Sequence, residues 1–179
     1  MSNTAQTTAQ ALPTGTWSVD PVHSEVAFSV DYMAGTFRGT FSKFDVRVVD
    51  GRLEGTVDVS TVQVKDPDLE AHLQTPDFFD AERNPQLLFV SKDVHRSGNE
   101  VRIEGEITIR GEARPIELKG TINDPAPDPF GNERFGLKLE GQLDRTRFGV
   151  SWNNPLPSGE PALANDVTLI ADLQFVKAA

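Results

Sequence analysis

The side chains that could do chemistry in this chain are few, and its three histidines are considered first. They are His23, His72 and His95. Metal-binding histidines typically recur at short spacing on one element, and no pair here has that spacing, so no metal site is predicted. His72 and His95 are predicted to be surface residues. His23 lies in D-P-V-H-S and has two open roles, contact with a ligand head group or bracing of the first strand.

A second group of charged residues precedes the stretch F-G-V-S-W-N (148–153). Asp144, Arg145 and Arg147 there place charge near Trp152, at the end of a strand. A nucleophile or a general base needs a partner within hydrogen-bond reach. The sequence has no G-x-S-x-G, no H-E-x-x-H and no phosphate-cradling glycine loop. An enzyme is therefore not predicted. The alternative is a barrel enzyme acting on an apolar substrate, with His23 or Asp144 as the base.

Three further cations lie close together along the chain, at Arg38, Lys43 and Arg47. A diphosphate head group would bind such a set through charge-assisted hydrogen bonds. A solvated strand face explains the same residues equally well. The formal charge of −10 favours a neutral quinone head over a diphosphate. Arg38 and His23 are the candidate head-group contacts.

Composition limits the classes of function. The chain has 179 residues, 37% of them apolar, and no cysteine, which excludes disulfides and thiolate sites. The acidic balance argues against nucleic acid and anionic membrane surfaces as partners. No apolar run is long enough for a membrane-spanning helix. Residues 1–14 read as a disordered polar tail without signal-peptide features, so residues 15–179 form one domain and a cytoplasmic location is expected.

The elements that must position these residues are strands, because apolar side chains alternate with period two along most of the chain. Turn signals divide the pattern into about eight long strands joined mostly as antiparallel hairpins. A phase slip predicts a bulge near residues 42–43. Residues 66–85 read as helical, between strands three and four. This all-β pattern is typical of a closed barrel or a two-sheet sandwich.

Glycine recurs on the apolar face of five strands. The residues are Gly39, Gly55, Gly105, Gly120 and Gly141. Glycine inside a strand costs about 0.5–1 kcal/mol relative to alanine, so its recurrence needs a reason. One reason is curvature, since glycine lets barrel strands bend. The other is space, since inward glycines leave an apolar lumen partly empty for a ligand. On the second interpretation, leucine at Gly105 or Gly141 would fill the lumen while the fold survives.

The helical insert carries two adjacent aromatic residues, Phe78 and Phe79. They are either ordinary core residues or part of a lid over the lumen.

With this order of elements, the sequence resembles the YceI-like family of bacterial polyisoprenoid-binding proteins. The resemblance spans residues 15–176, and H-L-x-x-P-D-F-F-D is its most specific block. The matching pieces are WSVDPVHSEVAFSV (17–30), GTFRGTFSKFD (35–45), DLEAHLQTPDFFDAERNPQLLF (68–89), ITIRGEARPIEL (107–118) and DPFGNERFG (128–136).

The resemblance implies an eight-stranded antiparallel lipocalin-like barrel and a homodimer. It also implies a long-chain isoprenoid lipid, either a polyprenyl phosphate or a prenylated quinone, held non-covalently in the lumen for storage, transport or sequestration. No cofactor is expected. A packed structural or stress-related protein without a ligand is the other alternative to the enzyme. Apolar or glycine residues facing inward, in the insert or near the strand end, are the predicted lumen contacts. They are Val26, Phe28, Val30, Phe37, Gly39, Phe41, Gly55, Val57, Phe78, Phe79, Phe89, Ile103, Gly105, Ile107, Gly120, Leu139, Gly141 and Trp152.

Overall fold

A computed structural model describes residues 12–178 of the chain, and its strands form one antiparallel sheet. Among residues 12–178, no helix is both long and apolar enough to span a membrane. The strands are β1 (Thr16–Val19), β2 (Glu25–Tyr32), β3 (Gly35–Phe41), β4 (Phe44–Val49), β5 (Arg52–Asp58), β6 (Val62–Gln63), β7 (Gln86–Ser97), β8 (Glu100–Ile109), β9 (Glu112–Ile122), β10 (Ala126–Pro127), β11 (Glu133–Asp144) and β12 (Leu163–Lys177).

The sheet closes on itself as a barrel. The pairing runs β11–β9–β8–β7–β5–β4–β1–β12, and β12 pairs again with β11 to complete the ring. β1 and β2 pair with successive parts of β12, so they occupy one position in the wall. β3 with β4, and β5 with β6, likewise follow one another along the chain as bent strands. The ring therefore has eight strand positions, as predicted, and the sandwich alternative is wrong.

One bend in the barrel wall has a local cause. The predicted phase slip corresponds to a break between β3 and β4 at Ser42 and Lys43. The amide of Ser42 donates to the Thr61 carbonyl (3.3 Å), and that of Lys43 donates to the Thr61 hydroxyl (3.1 Å). These bonds satisfy the backbone where the sheet ladder is interrupted. Where the sequence predicts a bulge, the structure has a break between two strands.

The helical insert lies between the third and fourth strand positions, also as predicted. Its helix α1 (Pro67–Leu73) starts at Asp66, whose carboxylate accepts from the amide of Asp68 at 2.9 Å. Proline at the first helical position suits that start, because its missing N–H would have no partner there. The rest of the insert, residues 74–85, forms turns, so the prediction of helical structure over residues 66–85 holds only for its first part.

One end of the barrel is filled by aromatic side chains. Trp17 packs edge-on against Phe135, with ring centroids 4.9 Å apart, and Phe135 stacks on Phe175 at 5.0 Å. Leu12 is only 2% exposed and belongs to the same hydrophobic core. The indole N–H of Trp17 donates to the Thr14 carbonyl at 2.9 Å. Residues 12–14 thus pack on the barrel, whereas residues 1–11 of the predicted tail lie outside the described residues.

Candidate functional site

The opposite half of the barrel contains an apolar cavity of about 300 Å³, called here the upper cavity. Strands on several sides of the barrel, the insert and the segment after β11 all contribute to its wall. Only two of its lining residues, Asp66 and Arg145, are charged. The lining residues are Phe28, Val30, Tyr32, Phe37, Phe41, Asp66, Leu69, Leu73, Phe78, Phe79, Leu87, Ile109, Leu143, Arg145, Phe148, Val150, Trp152, Leu163, Val167 and Leu169.

Four phenylalanines form a connected cluster on one wall of the upper cavity. Phe28 lies 6.1 Å from Phe37 and 5.8 Å from Phe41, centroid to centroid. Phe79 of the insert approaches the same rings edge-on, at 6.1 Å from Phe28 and 5.7 Å from Phe41. These spacings lie within the attractive range for aromatic pairs. Phe79 therefore ties the insert to the barrel wall and contributes to the lining of the cavity.

A second aromatic group connects the insert to the segment after β11. The His72 ring contacts Phe78 and Trp152 edge-on, with both centroid distances 5.0 Å, and Phe78 lies 5.4 Å from Trp152. His72 Nε2 is also 2.9 Å from a carboxylate oxygen of Asp77. His72 is half-buried, so the prediction of a simple surface residue misses its packing. Phe78 and Trp152 both line the cavity, so this group forms part of its wall.

Arg145 is the principal charged group in the wall, and its side chain organises the segment that carries Trp152. It is 5% exposed. Its guanidinium donates to the carbonyls of Val150 and Trp152, both at 2.9 Å. It also donates to the carbonyls of Ala164 (2.8 Å) and Leu163 (3.3 Å). Burial lowers the pKa of Arg145 from its ordinary value, because removal from water disfavours the charged form.

A second arginine, Arg110, holds the insert through hydrogen bonds to its backbone. Arg110 lies in the turn between β8 and β9, with a positive φ of 55°. Its Nη1 donates to the carbonyl of Phe78 at 2.7 Å and to that of Pro76. The turn and the insert are thereby joined across the open end of the barrel. The insert beside the upper cavity is held by these hydrogen bonds as well as by apolar packing.

A smaller cavity of about 90 Å³, the lower cavity, lies deeper in the barrel. Three of its lining residues also line the upper cavity and so separate the two: Phe41, Leu87 and Leu169. The lining residues are Val26, Ala27, Phe41, Val46, Leu53, Gly55, Val57, Leu87, Phe89, Ile107, Leu118, Leu139, Leu169, Ile170, Ala171 and Leu173.

The space beside most of the recurring glycines is occupied. A Cβ at Gly39 would lie 2.7 Å from the Phe28 ring, and one at Gly105 would lie 2.6 Å from the Phe89 ring. Such rings lean across glycine in many sheets and cover its backbone. A Cβ at Gly120 would collide with the backbone carbonyl of Lys138.

Two glycines remain from the set. A Cβ at Gly141 would lie 2.5 Å from Leu118 Cδ2, whereas one at Gly55 would make ordinary contacts with Val46, 3.5 Å away. Gly55 lines the lower cavity, but none of the five lines the upper one. The expectation that leucine at Gly105 or Gly141 would fill a lumen without disturbing the fold is therefore wrong.

The predicted lumen residues divide into three groups. Those on the upper cavity are Phe28, Val30, Phe37, Phe41, Phe78, Phe79 and Trp152. Those on the lower cavity alone are Val26, Gly55, Val57, Phe89, Ile107 and Leu139. Those on neither cavity are Gly39, Ile103, Gly105, Gly120 and Gly141. The apolar alternation therefore locates the lumen wall, but the glycines do not locate its empty space.

The two candidate head-group contacts lie away from the upper cavity. His23 is half exposed in a short 3-10 helix between β1 and β2, with Nδ1 2.7 Å from a carboxylate oxygen of Asp20. Arg38 is on the outer face of β3 and pairs with Glu25 at 2.5 Å. Neither residue lines either cavity. Both side chains are engaged with carboxylates on the outside of the wall.

Asp20 belongs to a polar cluster on that outer surface. Arg134 Nη1 donates to Asp20 at 2.7 Å, and Arg134 Nη2 lies 3.2 Å from Asp128. Hydrogen bonds with Arg134 and then His23 lower the pKa of the Asp20 carboxyl from 3.8 to about 2. His23 is therefore engaged with Asp20 at the β1–β2 junction in this structure.

Sequence reasoning missed several cavity residues. Leu143, Val167 and Leu169 were on recognised alternating faces, so the period-two pattern contained the signal for them. Arg145, Val150 and Leu163 lie in or beside an irregular segment whose folding no periodic pattern describes. The sequence shows the charge of Arg145 next to a strand end, but it does not show that the side chain is buried.

Comparisons with known proteins agree with this architecture. The sequence profile of the YceI-like domain matches residues 17–175. A UPF0312 protein of Staphylococcus epidermidis is 28% identical over 169 residues, covering 89% of this chain and 96% of the relative. Protein YceI of Escherichia coli O157:H7 is 26% identical over 136 residues, covering 72% of this chain and 71% of the relative.

Solved structures show the same fold at lower identity. BcnA of Burkholderia cenocepacia superposes with a TM-score of 0.71 at 22% identity, covering 87% of this chain and 98% of that one. A domain of Saccharophagus degradans, described as polyisoprenoid-binding, superposes with a TM-score of 0.69 at 10% identity, covering 90% and 98%. Taken with the profile match over almost the entire barrel, these likenesses establish that the chain belongs to the YceI-like family.

Proposed function

We propose that this protein binds an isoprenoid chain non-covalently, with the apolar tail in the upper cavity. The observation that carries the proposal is the cavity itself, about 300 Å³, whose mostly apolar lining includes only two charged residues, Asp66 and Arg145. Ligand sites are typically concave, mostly apolar and furnished with a few polar groups. The family and the polyisoprenoid-binding description of the Saccharophagus degradans domain support the ligand class.

The volume of the upper cavity sets the scale of the interaction. An apolar protein cavity of about 150 Å³ accommodates benzene, so 300 Å³ corresponds to roughly twelve carbon atoms. At about 0.8 kcal/mol per buried CH₂, their transfer from water contributes about 10 kcal/mol gross. Association entropy offsets several kcal/mol of this gain. The remaining binding free energy is enough for measurable affinity even without polar contacts to the head group.

We infer that the head group lies at the mouth, beside Asp66 and Arg145. Asp66 is exposed, so its carboxylate faces solvent at the edge of the cavity. Backbone carbonyls engage four of the five N–H donors of Arg145, which leaves only one donor to bind a phosphate. The Asp66 carboxylate also repels an anion. We therefore expect a prenylated quinone to bind more tightly than a prenyl phosphate with the same tail.

A fluorescence titration tests the proposal. Trp152 lines the cavity, whereas Trp17 is buried at the closed end, so a Trp152→Phe variant identifies which tryptophan responds. The ligands are a prenylated quinone, a prenyl phosphate with the same tail, and the quinone head without a tail. We expect saturable binding of both prenylated ligands and none of the bare head. Binding of the bare head alone, or of nothing, would contradict the proposal.

A binding role fits the structure better than the enzyme alternative. That alternative names His23 or Asp144 as the base, and neither lines the upper cavity. Asp144 instead caps a short 3-10 helix, accepting from the amide (2.9 Å) and hydroxyl (2.6 Å) of Thr146. These bonds also lower the pKa of its carboxyl, which weakens it as a base. Storage, transport and sequestration are all compatible with reversible binding.

A homodimer is a separate part of the proposal, and it follows from the family resemblance. Light scattering on the purified protein tests it directly. A mass of twice the monomer supports the dimer, and a monomer mass at all accessible concentrations contradicts it.

A further inference from the structure

The two cavities in the barrel are separated by a layer of three apolar side chains, Phe41, Leu87 and Leu169, here called the dividing layer. They come from three different wall strands, β3, β7 and β12. Phe41 is 5% exposed and Leu87 is 8% exposed, whereas Leu169 is half-buried. A chain entering from the mouth meets this layer after filling the upper cavity.

The residues of the dividing layer differ in how tightly their side chains are packed. Phe41 packs against both Phe28 and Phe79, with centroid distances of 5.8 and 5.7 Å. Leu169 is paired across the sheet with Gly141 on β11 and with Phe28 on β2. The glycine partner presents no side chain to Leu169 from β11. Truncating Leu169 should therefore cost less packing than truncating Phe41 or Leu87.

We propose that the dividing layer sets the length of isoprenoid chain that the protein accommodates. This inference rests on the proposed binding function and specifies the substrate of the same cavity. The upper cavity has room for roughly twelve carbons, which is two to three isoprene units. The lower cavity, at about 90 Å³, has room for less than one further unit and borders the upper cavity at the layer. Phe41, Leu87 and Leu169 are specificity-determining residues in this account.

The test uses a series of prenyl alcohols with two, three, four and five isoprene units. In the wild-type protein, the affinity rises from two to three units and then changes by less than about threefold, because further carbons stay outside the cavity. In Leu169→Ala the two cavities join, and the affinity continues to rise by about tenfold or more at four units. Phe41→Leu provides a second, milder opening of the layer.

Two further variants separate length selection from general loosening. Leu137→Ala removes a fully buried leucine that lines neither cavity, so it should lower stability and keep the wild-type length profile. Ala171→Leu, placed in the Leu169→Ala protein, refills the lower cavity, which Ala171 lines, and should restore the plateau at three units.

The outcomes are distinguishable. Affinity that rises steadily through five units in the wild type, with a profile unchanged by Leu169→Ala and Phe41→Leu, overturns the dividing layer while leaving isoprenoid binding intact. No binding of any prenyl alcohol or prenylated quinone to the wild type overturns the proposed function, and this inference with it. A plateau that moves to longer chains only in the opened variants supports both.

Discussion

Filling the upper cavity from its wall should block binding and stabilise the empty protein. Val167 lines that cavity from β12 and is half-buried, so a larger side chain there projects into empty space rather than into packed atoms. Val167→Phe adds about four carbons, whose burial contributes up to about 3 kcal/mol at 0.8 kcal/mol per carbon. Loss of side-chain entropy and partial exposure reduce the net stabilisation to roughly 1–2 kcal/mol.

The same four carbons displace an equal part of the ligand. Losing about 3 kcal/mol of tail burial weakens binding by roughly a hundredfold. The matched control is Val176→Phe, the identical change on the same strand, because Val176 is also half-buried but lines neither cavity. It should leave the dissociation constant unchanged.

The assay combines urea denaturation of the ligand-free proteins with the tryptophan titration. We expect Val167→Phe to be more stable than the wild type and to lose ligand binding, and we expect Val176→Phe to bind like the wild type. Wild-type affinity in Val167→Phe would refute the assignment of the upper cavity as the ligand site. Equal loss of binding in both variants would show that the effect is not specific to the cavity.

Three further predictions concern the scaffold around the site. Arg110→Ala removes the hydrogen bonds that hold residues 76–78, and should lower stability by about 1–3 kcal/mol and accelerate amide exchange in the insert. Asp20→Asn should cost about 1 kcal/mol at pH 7 after solvent screening. Because the folded pKa of Asp20 is about 2 and its ordinary value is 3.8, that stabilisation is present above pH 4 and lost as the pH falls through 2, so acid titrations of the wild type and the variant should converge there. Gly105→Ala places a Cβ 2.5 Å from the Val90 carbonyl and should lower the melting temperature without changing the length profile for ligands.

The fold was predictable because its signals are local. Period-two alternation identifies the strands, and the phase slip at residues 42–43 marks a real break between β3 and β4. Pro67, with Leu69 and Leu73 four residues apart, identifies the helix of the insert. Closure of the sheet follows less directly, because alternation alone fits a sandwich as well. The pairing of β12 with both β11 and the first strands decides that point.

The empty space was not predictable from the glycines, because side chains on neighbouring strands decide whether the volume beside a glycine stays open. Phe28 covers Gly39, and Phe89 covers Gly105. Both rings were themselves predicted as lumen residues, but their rotamers depend on packing across the barrel. The open volume lies instead toward the insert, where residues on several distant segments converge.

The role of Arg145 was also beyond sequence reasoning. Its guanidinium binds carbonyls on two segments, near Val150 and Leu163, that no repeating pattern brings together. Because the acceptors of Arg145 are backbone carbonyls, no acidic partner residue in the sequence indicates that its side chain is buried. Leu12 likewise reads as part of a polar tail, and only the structure shows it in the core.

Native mass spectrometry of the purified protein, followed by solvent extraction of whatever it carries, tests the central claim most directly. The account predicts a discrete adduct that is released by extraction and has the mass of a prenyl chain with its head group. It also predicts that Val167→Phe purifies without the adduct and that Val176→Phe retains it. A bare protein mass that persists after incubation with prenylated quinones and prenyl phosphates would contradict isoprenoid binding in the barrel.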